Sequence, residues 1–437
     1  MDEKDCNLVA ISDLHLSEGR SNETKRFSKH EDFFFDETFY RFLVCLNKKS
    51  QDYQKKWRLI INGDMIDFLQ IAPPAKNEPT DFEMSAREKK FGLGTEAVKT
   101  VWKLKKIMNG HWRFFEALAN FLNQGHHVVI IPGNHDIEFV YEDIHQVFRS
   151  ELRNYLTEKP AASNFESNLE FMEWFYYEPG LVFIEHGHQY DPLNSFDFYL
   201  CPFRTVGDKL MLDLPSGSFF VRYFFNQIEK LNPFADNIKP VSKYMRWALR
   251  NQFSSLIYKG ILWNYGLFLV EALKKIKPLG ARAKEQLIQR QNDLIHTLAQ
   301  RSGLPVEKLD AIRSLWVPSS LSNDSLLKVF LKFCSYEKIS PYPGRARKIQ
   351  ELLGVKYVVF GHTHDPDLKG LPTDSERKGE YVNSGTWTKV FSEEERLLRE
   401  EKELVYVQIL KQDEPKLELL RWKDELGEGE RVNLFEN

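Results

Sequence analysis

A chain of 437 residues exceeds one minimal domain and leaves room for a large core plus an elaboration. Hydrophobic residues at 42% and charged residues at 28% exclude a disordered or fibrous protein, and a net charge of −3 gives no global case for a polyanionic partner. Four scattered cysteines (Cys6, Cys45, Cys201, Cys334) without a C-x-x-C pair exclude a disulfide framework or zinc ribbon and fit a reducing compartment.

The acidic start has no basic segment ahead of an apolar one, so no signal peptide is expected. Residues 8–12, Leu-Val-Ala-Ile-Ser, predict a buried strand ending at Asp13, and a helix follows through Phe39 to Leu46. Residues 58–62 are the second strand, running into Gly63-Asp64. Residues 71–94 contain prolines, are polar and lack a period, which predicts a long loop. A helix through Val101 to Asn123 precedes the third strand, residues 127–131. Residues 169–177 and 180–185 suggest a hairpin feeding His186. Residues 356–360 lead into Gly361-His362, and residues 381–384, 404–410 and 417–422 suggest a closing meander. Helix–strand alternation first and antiparallel strands later predict an α/β protein: two sheets face to face, each covered by helices.

Five islands carry the chemistry: Asp13-Leu14-His15, Gly63-Asp64-Met65-Ile66-Asp67, Gly133-Asn134-His135-Asp136, Glu185-His186-Gly187-His188 and Gly361-His362-Thr363-His364. Four follow an apolar or β-branched run, as strand ends should, and sites in open α/β sheets lie beyond the carboxyl ends of strands. Hard oxygen and borderline nitrogen donors in such a set suit two divalent cations, which together polarise a phosphoryl group and activate a water. Asp13 and His15, two apart on an extended tip, are expected to point the same way. Asp64 at the next tip is the natural bridge.

In this order the islands resemble the D-x-H, G-D-x-x-D, G-N-H-D/E, H and G-H-x-H motifs of the calcineurin-like metallophosphoesterase superfamily. The resemblance implies a four-layer αββα sandwich. It implies Asp13, His15, Asp64 and His364 around a first metal, and Asp64, Asn134, His186 and His362 around a second. Iron, manganese, zinc or nickel would serve, and the ligands alone do not choose. His135 is the expected catalytic imidazole, protonating the leaving oxygen, with Asp136 as the carboxylate that orients it. His188 is expected to line the substrate site. Asp67 reads equally as a group behind the ligands or a helix N-terminal charge, and Asp191 as a substrate contact or a solvated loop acid. Asn383 and Ser384 read as turn residues near the site. His111, His126, His127 and His145 read as surface or loop residues.

Residues 192–348 interrupt the catalytic domain (1–191 and 349–437) as a helical insertion. It holds 24 basic and 12 acidic residues, leaving 36 and 51 for the rest of the chain. Between Lys239 and Arg290 eleven basic and two acidic residues alternate with Tyr244, Trp247, Phe253, Tyr258, Trp263, Tyr265 and Phe268. Such a segment could be a lid meeting lipid, a nucleic-acid surface, or a cap burying its aromatics on the core. The Phe219-Phe220-Val221-Arg222-Tyr223-Phe224-Phe225 stretch favours lipid over nucleic acid. The longest apolar run, residues 260–270, falls short of the roughly 20 residues that span a bilayer. The expectation is a cytoplasmic protein, peripheral on the inner membrane face if the insertion binds lipid.

The Asp-Leu-His-Leu opening, the His-Gly island and the insertion after it resemble the UDP-2,3-diacylglucosamine pyrophosphohydrolases, with a helical lid over acyl chains. Those enzymes carry Arg where this chain has His135, Asp where it has His188, and a far shorter insertion. The expected activity is therefore hydrolysis of a phosphomonoester, phosphodiester or pyrophosphate by metal-activated hydroxide, on a lipid-linked or nucleotide-linked substrate. Alternatives are a phosphoprotein phosphatase or a non-catalytic binding scaffold on the same fold.

Overall fold

In the computed structural model the residues described are 6–21, 23–75, 78–158, 160–206, 208–222, 281–318, 341–371, 379–389, 403–432 and 434. Strand β1 (Asn7–Ile11) pairs in parallel with β2 (Trp57–Asn62), and β2 with β3 (His127–Ile131), which in turn pairs with β4 (Leu169–Phe171). A second sheet holds β5 (Phe175–Glu178), β6 (Val182–Glu185), β9 (Tyr357–Phe360), β10 (Asp367–Leu371) and β11 (Gly379–Asn383). Between them in sequence, β7 (Phe203–Val206) and β8 (Lys209–Leu212) form a separate two-stranded ribbon. The chain then returns to the first sheet as the antiparallel strands β12 (Val405–Leu410), β13 (Lys416–Lys423) and β14 (Glu428–Arg431), giving the order β14-β13-β12-β1-β2-β3-β4.

Strand periodicity explains the layering. On β1 to β3, Val9, Ile11, Leu59, Ile61, Val128 and Ile130 face one core, while Leu8, Ala10, Ile60, Val129 and Ile131 face another. The second set meets Val182, Ile184, Tyr357, Val359 and Val382 of the second sheet, so this core lies between the sheets. The first set is covered by α1 (Asp36–Asp52) and by the helices of residues 97–154. Phe183, Val358 and Phe360 on the far side of the second sheet share a cluster with helix Tyr342–Leu353. Near-continuous apolar strands are the signature of sheets buried on both faces. Burying each such aliphatic side chain stabilises by roughly 1.5–3 kcal/mol, so Ile60→Ala in the inter-sheet core should cost about 2–5 kcal/mol. The expected α/β, helix–sheet–sheet–helix architecture is what the chain adopts.

Four local expectations change. Residues 169–177 do not form one hairpin arm: β4 closes the edge of the first sheet, and β5 opens the second three residues later. Residues 381–383 are not part of the closing meander, because β11 runs parallel to β9 in the second sheet. The long helix ahead of β3 is two, Ala97–Gly110 and Trp112–Asn123, broken at His111. Within the loop of residues 71–94 lies one short helix, Glu88–Phe91.

The basic aromatic run from Lys239, with its seven named aromatics, lies outside the described residues except for residues 281–290. The described insertion is not wholly helical, since it begins with the β7–β8 ribbon. Its helices Ala281–Ser302 and Val306–Arg313 dock on the catalytic domain: Arg301 donates to Glu173 at 2.6 Å, and Trp316, just past the second helix, meets Trp174 with ring centroids 4.8 Å apart and the insertion's own Tyr199 at 5.6 Å. The boundary expected after residue 348 falls inside helix Tyr342–Leu353, whose Ala346, Ile349 and Leu353 pack on the second sheet. No helix among the described residues is long and apolar enough to cross a membrane.

Candidate metal centre

Each island sits just beyond the carboxyl end of a parallel strand: Asp13 after β1, Asp64 after β2, Asn134 after β3, His186 after β6 and His362 after β9. The first sheet thus supplies Asp13, His15, Asp64 and Asn134, and the second supplies His186, His362 and His364. The tips are not extended. Asp13, His15, Asp64, His362 and His364 all have φ between 51° and 69°, and they make up five of the eight non-glycine residues with positive φ among those described. An L-residue pays steric strain there, and such strain gathers where a side chain must be aimed. Asp13 and His15 therefore converge by backbone reversal, not by the alternation of a strand.

Glycines permit the close approach. A Cβ on Gly63, whose φ is +82°, would lie 2.3 Å from Nδ1 of His186, and one on Gly133 would lie 2.2 Å from Oδ1 of Asp64. Asp136 accepts N–H groups from Gly133 (2.6 Å), Asp64 (3.2 Å), Met65 (2.7 Å) and Ile66 (3.3 Å), binding the second and third tips together. Behind Asp13, Ser12 Oγ donates to Oδ2 at 2.5 Å, and the hydroxyls of Thr386 and Ser384 tie down its carbonyl and Ser12. Asn383 donates to the Gly361 carbonyl at 2.7 Å. Asn383, expected in a turn, is the last residue of β11, and Ser384 follows it, its hydroxyl also bonding the Phe360 carbonyl at 3.1 Å.

Six of the seven expected ligand side chains converge in two groups. Asp13, His15 and His364 offer donor atoms within 4.8 Å of one another, as do Asp64, His186 and His362. His364 Nε2 lies 3.2 Å from Asp13 Oδ1 and 3.1 Å from His15 Nε2; His186 Nε2 lies 3.0 Å from Asp64 Oδ2. Ligand bonds of roughly 2.0–2.2 Å bring neighbouring donor atoms to about this spacing. Asp64 Oδ2 is also 3.9 Å from His15 Nε2, so one carboxylate oxygen faces a nitrogen of each group. The buried Oδ1 of Asn134 has no hydrogen-bond partner among the described residues. An acceptor orphaned in a dry site costs about 1–3 kcal/mol, which a cation would offset. The residues present fit divalent metal binding.

The electrostatics agree. Burial by itself would raise the Asp13 and Asp64 carboxyls, but the imidazoles of His364 and His186 hold both below the usual carboxylate range. Burial would lower His186, yet the facing Asp64 carboxylate holds it up, to about 9. Burial and the neighbouring Asp64 push Asp136 up to about 7.

His135 lies at the partly exposed side of the cluster, its ring centroid 4.6 Å from that of His15. Its orienting carboxylate is not Asp136, which is committed to backbone N–H groups, but Asp67: Oδ2 sits 2.7 Å from His135 Nδ1. The same oxygen lies 3.6 Å from His15 Nδ1. The G-D-x-x-D spacing flagged Asp67, but its partner depended on how the turn after β2 folds. Burial would lower His135, and Asp67 with Asp64 raises it to about 10.

His188 is buried, its ring centroid 5.4 Å from that of His186 and edge-on to Tyr199, and neither ring nitrogen has a hydrogen-bond partner among the described residues. Asp191 is not a solvated acid: it is buried, with Oδ2 3.1 Å from His362 Nε2. His111 and His126 are not surface residues either. His111 is bonded to both Glu31 and Asp36, and His126 accepts from the Trp57 N–H. His127 is also buried, and His145 is half-buried against Phe171.

Residues 7–216 match the family model of the calcineurin-like phosphoesterases. That span includes Asp13, His15, Asp64, Asn134, His135 and His186. His362 and His364 lie beyond it and join the site through the second sheet. No curated protein matches the chain. The family match and the convergent His and Asp side chains together support a metal-dependent phosphoesterase.

Proposed function

We propose that the protein hydrolyses a phosphomonoester, phosphodiester or pyrophosphate with two divalent cations, one held by Asp13, His15, Asp64 and His364 and the other by Asp64, Asn134, His186 and His362. The observation that carries this is the position of Asp64 Oδ2 between His186 and His15, the place of a bridging ligand. When bound, the two cations would polarise the phosphoryl oxygens and lower a water's pKa towards ~7, supplying the attacking hydroxide. Manganese, iron, zinc and nickel all suit this mixed set of oxygen and nitrogen donors.

The chain's own residues do the rest. His135, anchored through Nδ1 to Asp67, presents Nε2 outward, where a proton can pass to the leaving oxygen. By accepting from Nδ1–H, Asp67 favours the doubly protonated ring, whose outward Nε2–H is the proton available to the leaving oxygen. His188, with unpartnered nitrogens beside His186, supports a contact to the phosphoryl group or its substituent. The insertion's Tyr199, edge-on to His188 and backed by Trp316, puts part of the insertion beside the site, which fits a lipid-linked or nucleotide-linked substrate better than the open groove a phosphoprotein would need.

The test is turnover of para-nitrophenyl phosphate and its bis ester by metal-stripped protein, alone and with added Mn²⁺, Fe²⁺, Zn²⁺ or Ni²⁺. Metal-dependent turnover is expected, and a preference for the bis ester would mark a diesterase. No turnover with any of the four metals would leave a binding scaffold.

A further inference from the structure

We propose that Asp191 is a positioning residue that fixes His362 and links the insertion to the second cation site; this rests on the metal-dependent reading above. Asp191 and His362 are 171 positions apart in the chain, yet Asp191 Oδ2 lies 3.1 Å from His362 Nε2. A carboxylate on Nε2 keeps the ring proton there and leaves a lone pair on Nδ1 that could bind a cation; His362 offers a ligand atom within 4.8 Å of those of Asp64 and His186. Partners of this kind orient metal-binding imidazoles, and their loss typically weakens metal binding 10–100-fold.

Asp191 is itself held. Its Oδ1 accepts the Leu193 N–H at 2.9 Å, its Oδ2 accepts Asn194 Nδ2 at 2.8 Å, and its carbonyl accepts the N–H groups of Asn194 and Ser195 at 3.0 and 2.8 Å. This turn is gripped by the insertion from two places. The Leu193 carbonyl accepts from Gly217 N and Ser216 Oγ at 2.8 and 2.9 Å, and the Gln189 carbonyl accepts from Val317 N at 2.9 Å. Residues 216–217 and Val317 of the interrupting segment, about a hundred positions apart, therefore converge on the short loop of residues 189–195, whose single buried carboxylate touches a metal-site imidazole. A shift of the insertion around substrate reaches the second cation site by this route.

The test is calorimetric titration of the metal-stripped full chain with Mn²⁺, with thermal melting to check folding. Wild type is expected to show two sites. Asp191→Ala should weaken one of them 10–100-fold and spare the other, while Asp191→Asn, whose amide oxygen still accepts from the ring N–H, should keep most of the affinity. Asn194→Ala, which loosens the turn without touching His362, should weaken the same site threefold or more. A folded Asp191→Ala with two unchanged sites overturns the proposal. If Asp191→Ala does not fold, Asn194→Ala decides, and two unchanged sites there overturn it. Wild type that takes up no Mn²⁺ overturns the metal-dependent reading itself, an outcome distinct from a two-site wild type indifferent to Asp191.

Discussion

Oδ2 of Asp67 sits 2.7 Å from Nδ1 of His135, joining the turn after the second strand to the turn after the third. The pair makes a separable prediction. His135→Ala should reduce turnover by ~10²–10⁴ while metal content stays near normal, the range of a lost proton donor. Asp67→Asn should reduce turnover less, and adding it to His135→Ala should change little, because the two act as one unit. Single-turnover rates with elemental analysis check this; additive losses would separate the two residues.

Asp64 faces both halves of the site, so its loss should not be local. Asp64→Asn is expected to abolish turnover and metal uptake together, read as metal stoichiometry after dialysis. Retention of two ions would remove Asp64 from the bridge. Chelation of wild type should lower Tm, since a ligand at 100 times its Kd stabilises the folded state by about 2.7 kcal/mol.

Gly133 and Gly125 provide a matched comparison. A Cβ on Gly133 meets Asp64 Oδ1 at 2.2 Å, whereas one on Gly125 finds only the Lys56 side chain at 3.6 Å. Gly133→Ala should displace the Asp64 carboxylate and cost at least ~10² in turnover, by analogy with misplaced catalytic groups. Gly125→Ala, at φ +81°, should cost only about 1–2 kcal/mol of stability and leave turnover intact. Equal losses of activity would argue against this steric account.

His111, buried between Glu31 and Asp36, bears on stability and not on chemistry. Burial would lower its pKa, but the two carboxylates raise it to about 10. Because the folded value exceeds the unfolded one of ~6.5, its contribution is complete below that pH and fades as pH climbs towards 10. His111→Gln should cost about 3–5 kcal/mol in urea unfolding at pH 6.5, the range for a broken buried pair. The gap from wild type should narrow by pH 10; a gap independent of pH would show that packing, not charge, sets the cost.

The order of layers and all seven candidate ligands were legible in the sequence. A buried parallel strand is apolar through its centre, and the polar residues that follow lie at the sheet's edge. Runs such as residues 59–61 before Asn62-Gly63-Asp64 therefore announce themselves locally. What only the tertiary structure decided were pairings between distant segments. Asp67, not Asp136, reaches His135; Asp191 reaches His362; and residues 379–383 join the second sheet, not the closing meander. Hydrophobic period specifies which face of a strand is buried but not which neighbour it meets. A carboxylate's partner likewise depends on turn geometry and on the relative placement of two sheets, which no local pattern encodes.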